Sequence, residues 1–332
     1  MLVGLAAAAL VAAIVAAGIG PYRIAPTEVA RMIVERLAGG ADGGEPSTVL
    51  FAVRLPRILG AALTGAALSA AGAAYQNLFR NPLISPDILG VSTGAGFGAV
   101  LAILAGLPVA LVELSGFVGG TLAVLLVAML ARSLRDHGDV LVLVLSGIVV
   151  GSLAAAAISL VKIVADPYQQ LPIITYWLLG SLAGIRLDDV AVVAPTVIVG
   201  LVPLFLLRWR IGVLSLGEDD ARALGVDVRR TRAVVIASAT LVTAAVVAVS
   251  GVVGWIGLMV PHSARLLVGN RFDRLLPASI LLGAVFTVAV DTVARTVAQV
   301  EIPIGILTAL IGGGLFVWLM TRRRGFGTWR RT

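Results

Sequence analysis

The sequence has no cysteine, and its only histidines are His137 and His262. The first absence excludes disulfides, thiol nucleophiles and iron–sulfur ligands. The second excludes a histidine-rich metal site. Charge is scarce: Asp, Glu, Lys and Arg make up 13% of 332 residues, about half the ~25% usual in soluble domains. Lys162 is the sole lysine. Catalytic signatures are missing as well. There is no HExxH, no GxSxG and no pair of carboxylates inside an apolar run. There is also no GxxxxGK[ST] phosphate loop, so the chain carries no ATP-hydrolysing motif of its own.

Apolar sequence fills the space instead. The chain is 59% hydrophobic with a mean hydropathy of +1.04. Its apolar runs are long and unbroken, which suits helices; a membrane barrel alternates in short segments. Each crossing needs ~20 apolar residues. On that measure spans are expected at 1–20, 56–75, 90–106, 111–131, 140–165, 188–207, 231–250, 252–268, 276–297 and 303–320. Residues 1–20 lack a basic leader and read as an uncleaved first span. Residues 21–53 form the longest polar stretch, with a helix start at 25–28 and a loop at 39–46. Asp166-Pro167 breaks the chain. The segment 173–182 is too short to cross and reads as an interfacial or re-entrant helix anchored by Tyr176 and Trp177. The expected fold is an all-α polytopic membrane protein with about ten transmembrane helices. It forms a single transmembrane domain over 1–332, with a short basic tail at 321–332.

Arginine sets the orientation. With the N-terminus inside, the inner segments hold Arg80, Arg132, Arg135, Arg208, Arg210, Arg222, Arg229, Arg230, Arg232, Arg265, Arg271, Arg274, Arg322, Arg323, Arg324, Arg330 and Arg331. These are 17 of the 25 basic residues. The positive-inside rule therefore places both termini in the cytoplasm, and the net charge of +7 reflects this bias rather than a nucleic-acid partner.

The polar stretch 214–228 stands out. Glu218, Asp219, Asp220 and Arg222 precede Ala223-Leu224-Gly225, the pattern of a short amphipathic helix closed by a glycine C-cap. Held between two spans, it can pass motion from a soluble partner into the bilayer.

Other polar residues have bland uses beside the functional ones. Lys162 can snorkel to the interface or line a pore. Asp291 and Arg295 are four apart, the spacing of an intrahelical ion pair. Glu113, near the end of its span, is expected to be wet. His262 follows Pro261 and reads as a hydrogen-bonded residue at a helix kink. Arg54, Arg57 and Arg295 fall on the outer side, against the orientation bias. They can dock an acidic protein surface through bidentate pairs or anchor to lipid phosphate. Tyr75 to Leu83 ends in Asn81-Pro82, a rigid turn that serves as a connector or a plug. The glycine-rich pieces, among them 65–67, 94–96 and 312–314, suit close helix packing.

Five pieces in order resemble one family, the FecCD-like permease subunits of type II ABC importers for ferric siderophores, heme and cobalamin. They are RLPR at 54–57, GAALSAAGAAYQNLFRNPLISPDILGVSTGAGFGA at 65–99, SLGEDDARALG at 215–225, GWIGLMVPHSARLL at 254–267 and EIPIG at 301–305. The resemblance covers nearly the whole chain and implies the type II ABC importer permease fold. It also implies a second permease copy, two cytoplasmic ATPase subunits and a periplasmic binding protein. On this view the chain binds no cofactor itself, ATP and magnesium belong to the ATPase, and the complex sits in the cytoplasmic (inner) membrane.

Carried over residue by residue, the family's coupling helix falls on Ser215, Leu216, Gly217, Glu218, Asp219, Ala221, Arg222, Leu224 and Gly225. Its binding-protein contacts fall on Arg54, Arg57 and Arg295. Its cytoplasmic gate falls on Asn81, Pro82 and Leu83 with Asp139, Val140 and Leu141, the latter three less hydroxyl-rich than in some relatives. The fifth helix would line the pathway through Gly147, Gly151, Ser152, Ala155 and Ser159. The implied activity is ATP-driven alternating access for a metal chelate, a ferric one being the commonest family role, with heme, cobalamin and molybdate-type oxyanions as alternatives. Two rivals are an ion-driven secondary transporter, for which Asp291 is the candidate carboxylate, and a membrane-embedded enzyme.

Overall fold

A computed structural model of the chain describes residues 1–39, 44–134 and 139–321. Arg135, His137, Arg322, Arg323, Arg324, Arg330 and Arg331, used above to orient the chain or exclude a site, lie outside the described residues. Within them the fold is entirely helical. Helix α1 spans Leu2–Gly18, α2 Pro26–Leu37 and α3 Gly44–Thr48. A π-helical turn, Val49–Arg54, leads into α4, Leu55–Leu78. A 3-10 turn at Pro86–Leu89 precedes α5, Val91–Leu104. Next come α6 (Val109–Ser133), α7 (Asp139–Val164), α8 (Gln170–Leu179) and α9 (Leu187–Leu206). Two short helices follow, α10 (Arg208–Leu214) and α11 (Glu218–Ala223). The chain closes with α12 (Val228–Ser250), α13 (Ile256–Val268), α14 (Phe272–Ala294) and α15 (Ile304–Thr321).

Every expected span holds one helix. Six of the described helices are long and apolar enough to cross a bilayer, the longest run being Gly44–Leu78. The other four, α1, α5, α13 and α15, are apolar but shorter. Among the shorter helices α8 fills the place of the expected re-entrant segment. It ends at Gly180, where the Ser181 N–H donates to the Ser250 carbonyl (2.8 Å) and joins α8 to the end of α12.

Helix α4 is the hub. Almost every residue from Pro56 to Leu78 is buried, whereas α6, α7 and α9 bury little of their surface. A helix packed on all sides inside a membrane gains nothing from hydrophobic exclusion against lipid, so it depends on close van der Waals contact. The sequence of α4 supplies this with Gly, Ala and Ser. Its crossing with α14 places Gly65 on Gly283: a Cβ added at Gly65 would lie 2.1 Å from the Gly283 carbonyl oxygen. Its crossing with α13 is as tight, since a Cβ at Gly72 would lie 1.9 Å from the Gly257 carbonyl.

One span differs from expectation. Residues 252–268 are not a continuous crossing. Helix begins only at Ile256, after an extended segment in which Gly251 and Trp255 take φ of 66° and 70°. Gly257 then meets Gly72, deep in α4, so α13 starts within the bundle rather than at its rim. The kink reading of Pro261 takes a specific form. Proline has no N–H for the carbonyl four residues back, which is Gly257. Gln76 of α4 supplies the missing donor, its amide 3.3 Å from the Gly257 carbonyl and 3.1 Å from that of Leu258. The other end of Gln76 accepts from the Arg265 guanidinium. One buried amide thus satisfies both faces of a helix that the chain could not satisfy locally.

Gly72→Ala is expected to force α4 and α13 apart at a cost of about 1–3 kcal/mol, read as a lower melting temperature in detergent. Gly314→Ala, which meets open space, should leave that temperature unchanged. Equal melting of the two variants would disprove the tight crossing.

Candidate functional site

Helix α11 forms as the charge pattern requires. Gly217, at φ 140°, opens it, and the Ala221 N–H bonds the Gly217 carbonyl (3.0 Å). At the other end Gly225 takes φ 77°, its N–H bonds Arg222 O (2.9 Å), and the Val226 N–H bonds Ala221 O (2.9 Å). These two bonds are a Schellman closure, with the Ala221–Val226 contact beneath it. Both of those side chains are buried.

Ala221, one of the residues carried over as the coupling helix, is buried and anchors the helix to the protein. The outward apolar groups are Leu216 and Leu224, 59% and 54% exposed, one on either side of α11. Glu218 is held by Arg222 (2.8 Å) and by Arg232 of α12, and Asp219 by Arg222 (2.9 Å). Asp227 caps α12 by accepting from the Arg230 N–H (2.9 Å). The brace from Arg232 was missed in the sequence, where that residue counted only toward orientation.

The turn after α4 reaches the same place. The Asn81 N–H bonds Gln76 O (3.1 Å) and the Arg80 N–H bonds Asn77 O (3.3 Å), a second Schellman closure. Here arginine rather than glycine occupies the left-handed position, at φ 50°. A carbon built on Gly217 would lie 3.8 Å from the Arg80 guanidinium, so this turn touches the start of α11. Asn81 accepts from the Leu83 N–H (2.9 Å), which stiffens the turn and leaves Leu83 exposed at its tip. Below it Asp87 bonds Ser92 at the start of α5, and burial pushes its carboxyl above the ordinary range against the pull of Ser92 and Ser85.

Of the expected gate on α7, Leu141 is exposed, while the side chains of Asp139 and Val140 lie outside the described ones. Along the same helix Ser152, Ala155 and Ser159 are exposed and Gly151 is partly so. Gly147 is not part of that open face. A Cβ there would lie 2.1 Å from the Ile88 carbonyl, so it seats the Pro86–Leu89 turn against α7.

The three outer arginines, expected to meet a binding protein, make their contacts within the chain. The guanidinium of Arg57 donates through Nε to Asp291 (2.8 and 3.0 Å) and through Nη1 to Glu301 (2.8 Å). Arg295 lies 3.8 Å from the Asp291 carboxylate, the intrahelical pair expected from spacing. Arg295 also donates to Ala16 O (2.6 Å), and Arg54 donates to Ala17 O and Tyr22 O. The carbonyls of Ala16 and Ala17 end α1, which closes in extended backbone at Ile19, and Tyr22 lies in the segment that follows. The two helix-end carbonyls are orphan acceptors at the negative end of a helix, and arginine satisfies both needs. Arg54 is 2% exposed and Asp291 1%. In this conformation the three arginines hold α1, α4 and α14 together rather than forming an exposed basic row. Glu113, expected to be wet, is half-buried.

These features define a class, a multi-pass helical membrane permease with a short polar helix mounted on one end. The chain belongs to the FecCD transport family, which matches residues 8–322. It is 37% identical over 320 residues to the molybdate import system permease MolB of Haemophilus influenzae, covering 95% of this chain and 94% of that one. The cobalamin import system permease BtuC of Halobacterium salinarum is 43% identical over 284 residues, covering 84% and 76%. The hemin transport system permease HmuU of Yersinia pestis is 38% identical over 281 residues, covering 82% and 83%. Among solved structures, an inward-facing conformation of a metal-chelate type ABC transporter superposes with a TM-score of 0.87 at 36% identity, covering 97% and 98% of the two chains. PsaBC from Streptococcus pneumoniae, at 15% identity and a TM-score of 0.56, shares the fold alone.

Asp291→Ala is expected to leave Arg57 underpaired in the bundle and to cost about 3 kcal/mol. The double change Arg57→Met with Asp291→Leu should recover part of it, since Glu301 and Arg295 then each lose a partner. Thermal unfolding of the three proteins checks this, and a double variant no better than the single would overturn it.

Proposed function

We propose that the chain is the transmembrane subunit of an ATP-driven importer that moves a metal chelate across the cytoplasmic membrane by alternating access. Two copies would form the pathway. The observation that carries this reading is the mounting of α11. Two exposed leucines flank a helix whose one buried face and one salt bridge to α12 lock it to the bundle. A small apolar face on a rigid lever is what a soluble motor needs to grip. ATP binding and hydrolysis belong to the partner subunit. This chain converts the displacement of α11 into motion of α12 through Arg232, and of the 79–83 turn through Arg80.

The open face of α7 supports a pathway role. Ser152, Ala155 and Ser159 are small and uncharged, which suits a wide conduit that lets a bulky ligand leave as readily as it enters. The named relatives are permeases of molybdate, cobalamin and hemin systems, and a ferric chelate, the commonest family role, is our choice of cargo. An ion-driven mechanism is the weaker reading, because Asp291, the carboxylate it would use, is occupied by Arg57.

Docking of a binding protein takes a definite form on this geometry. Glu301 is the partly exposed rim of the arginine network, so an acidic partner would have to replace it on Arg57. Glu301→Gln should therefore raise the association rate of the binding protein, with a steeper salt dependence, measured by stopped-flow fluorescence. An unchanged rate would remove the arginines from docking.

The function is tested by reconstituting the chain with its ATPase and binding protein in vesicles and measuring ATP-dependent chelate uptake. Arg232→Gln should lower the chelate transported per ATP at least severalfold while the complex still assembles and hydrolyses ATP. The exchange Glu218→Arg with Arg232→Glu should restore part of it. Crosslinking Leu83→Cys across the two copies should block uptake. Uptake abolished by an uncoupler and indifferent to ATP would overturn the proposal.

A further inference from the structure

Between α6, α12 and α11 lies a cavity of about 1060 Å³. On α12 it runs from Val228 to Leu241 and on α6 from Arg132 back to Phe117. At 1.5 Å per residue that is ~20 Å of helix, close to the ~15 Å of hydrocarbon in one leaflet. Its two ends differ in character. The deep end is lined by apolar residues such as Phe117, Leu125 and Leu241. The end beside α11 carries four arginines and two carboxylates.

Those charges do not cancel. Glu218 is taken by Arg222 and Arg232, and Asp227 caps α12. Arg132 and Arg229 are exposed and have no ion-pair partner among the described residues. Two uncommitted guanidiniums thus stand at the polar end of an apolar slot one leaflet deep.

We infer that this cavity binds an anionic phospholipid of the cytoplasmic leaflet. Its acyl chain would lie along α12, and its phosphate would meet Arg132 and Arg229. The planar fork of arginine matches phosphate oxygens in pairs. A free phosphate would leave the apolar length unfilled, and a zwitterionic lipid would leave the positive charge unanswered. Because Glu218 and Arg222 line the same mouth, the headgroup would sit against the salt bridges that brace α11, making the brace sensitive to lipid composition. The inference rests on the cytoplasmic placement of α11 in the reading above, and not on the identity of the cargo.

The test uses the permease–ATPase complex in phosphatidylcholine nanodiscs. Leu125→Trp is the reporter inside the cavity, and Leu122→Trp, on the same helix but outside it, is the control. Equal small fractions of brominated phosphatidylglycerol or brominated phosphatidylcholine are added, and quenching is compared with the parent protein. Each arginine near the surface contributes about 1 kcal/mol toward an anionic lipid, so a preference of roughly tenfold or more for phosphatidylglycerol is expected at Leu125→Trp and none at Leu122→Trp. Arg132→Gln with Arg229→Gln should abolish it, and high salt should erode it in the unmodified background if that variant folds poorly. Equal quenching by both lipids at Leu125→Trp would overturn the inference. So would no quenching by either, which would mean that protein, such as a second copy of this chain, fills the slot. Uptake driven by ATP is measured separately, so either result leaves the importer reading to stand or fall alone.

Discussion

A helix enclosed on every side by other helices has no lipid face to orient it, and the permease is built around such a helix. Helix α4 is held by backbone meeting backbone at Gly65–Gly283 and Gly72–Gly257. Without those contacts its neighbours would stand a side chain further away. The buried polar bonds that cross the same interfaces, Gln76 to α13 and Arg57 to Asp291, would then be out of reach. Close packing is therefore the condition for the polar network as well as for the apolar core.

The polar network divides the molecule into two working ends. At one end the arginines at 54, 57 and 295 satisfy the carbonyls that end α1 and neutralise two carboxylates. Burying this many charges is tolerable because nearly every donor finds an acceptor. At the other end the charges are more exposed, and some of them brace a short helix against a long one. A short braced helix at one end and a charge-stapled rim at the other are joined through α4 and its partners α13 and α14. Gln76 and Arg265 sit partway along that connection. A rigid body of this kind is suited to rocking as a unit, because packed helices shift between discrete arrangements more readily than they bend.

Specificity has little to act on within this chain. On α7 the small exposed residues Ser152, Ala155 and Ser159 stand beside exposed aliphatics such as Leu145, Leu153 and Leu160, and the buried arginines at 54, 57 and 295 are spent on the protein itself. Relatives sharing this frame are named for cargo as unlike as molybdate, cobalamin and hemin.

The sequence by itself determined the helical class, the ten apolar helical regions, the short α8 and the short capped α11. It did so because these depend on local rules: apolar length against bilayer thickness, and a glycine three residues after a charged turn. The Asp291–Arg295 pair was legible for the same reason, being four residues apart. Tertiary structure alone decided the rest. It set α13 deep in the bundle, because the carbonyl freed by Pro261 is satisfied by Gln76 from a distant helix. It turned Ala221 inward and covered Gly147 with Ile88. Above all it turned the outer arginines inward, since the partner of Arg57 lies 234 residues away at Asp291. Composition marked those arginines as misplaced for a membrane, but only the packing of α14 on α4 brought a carboxylate to meet them.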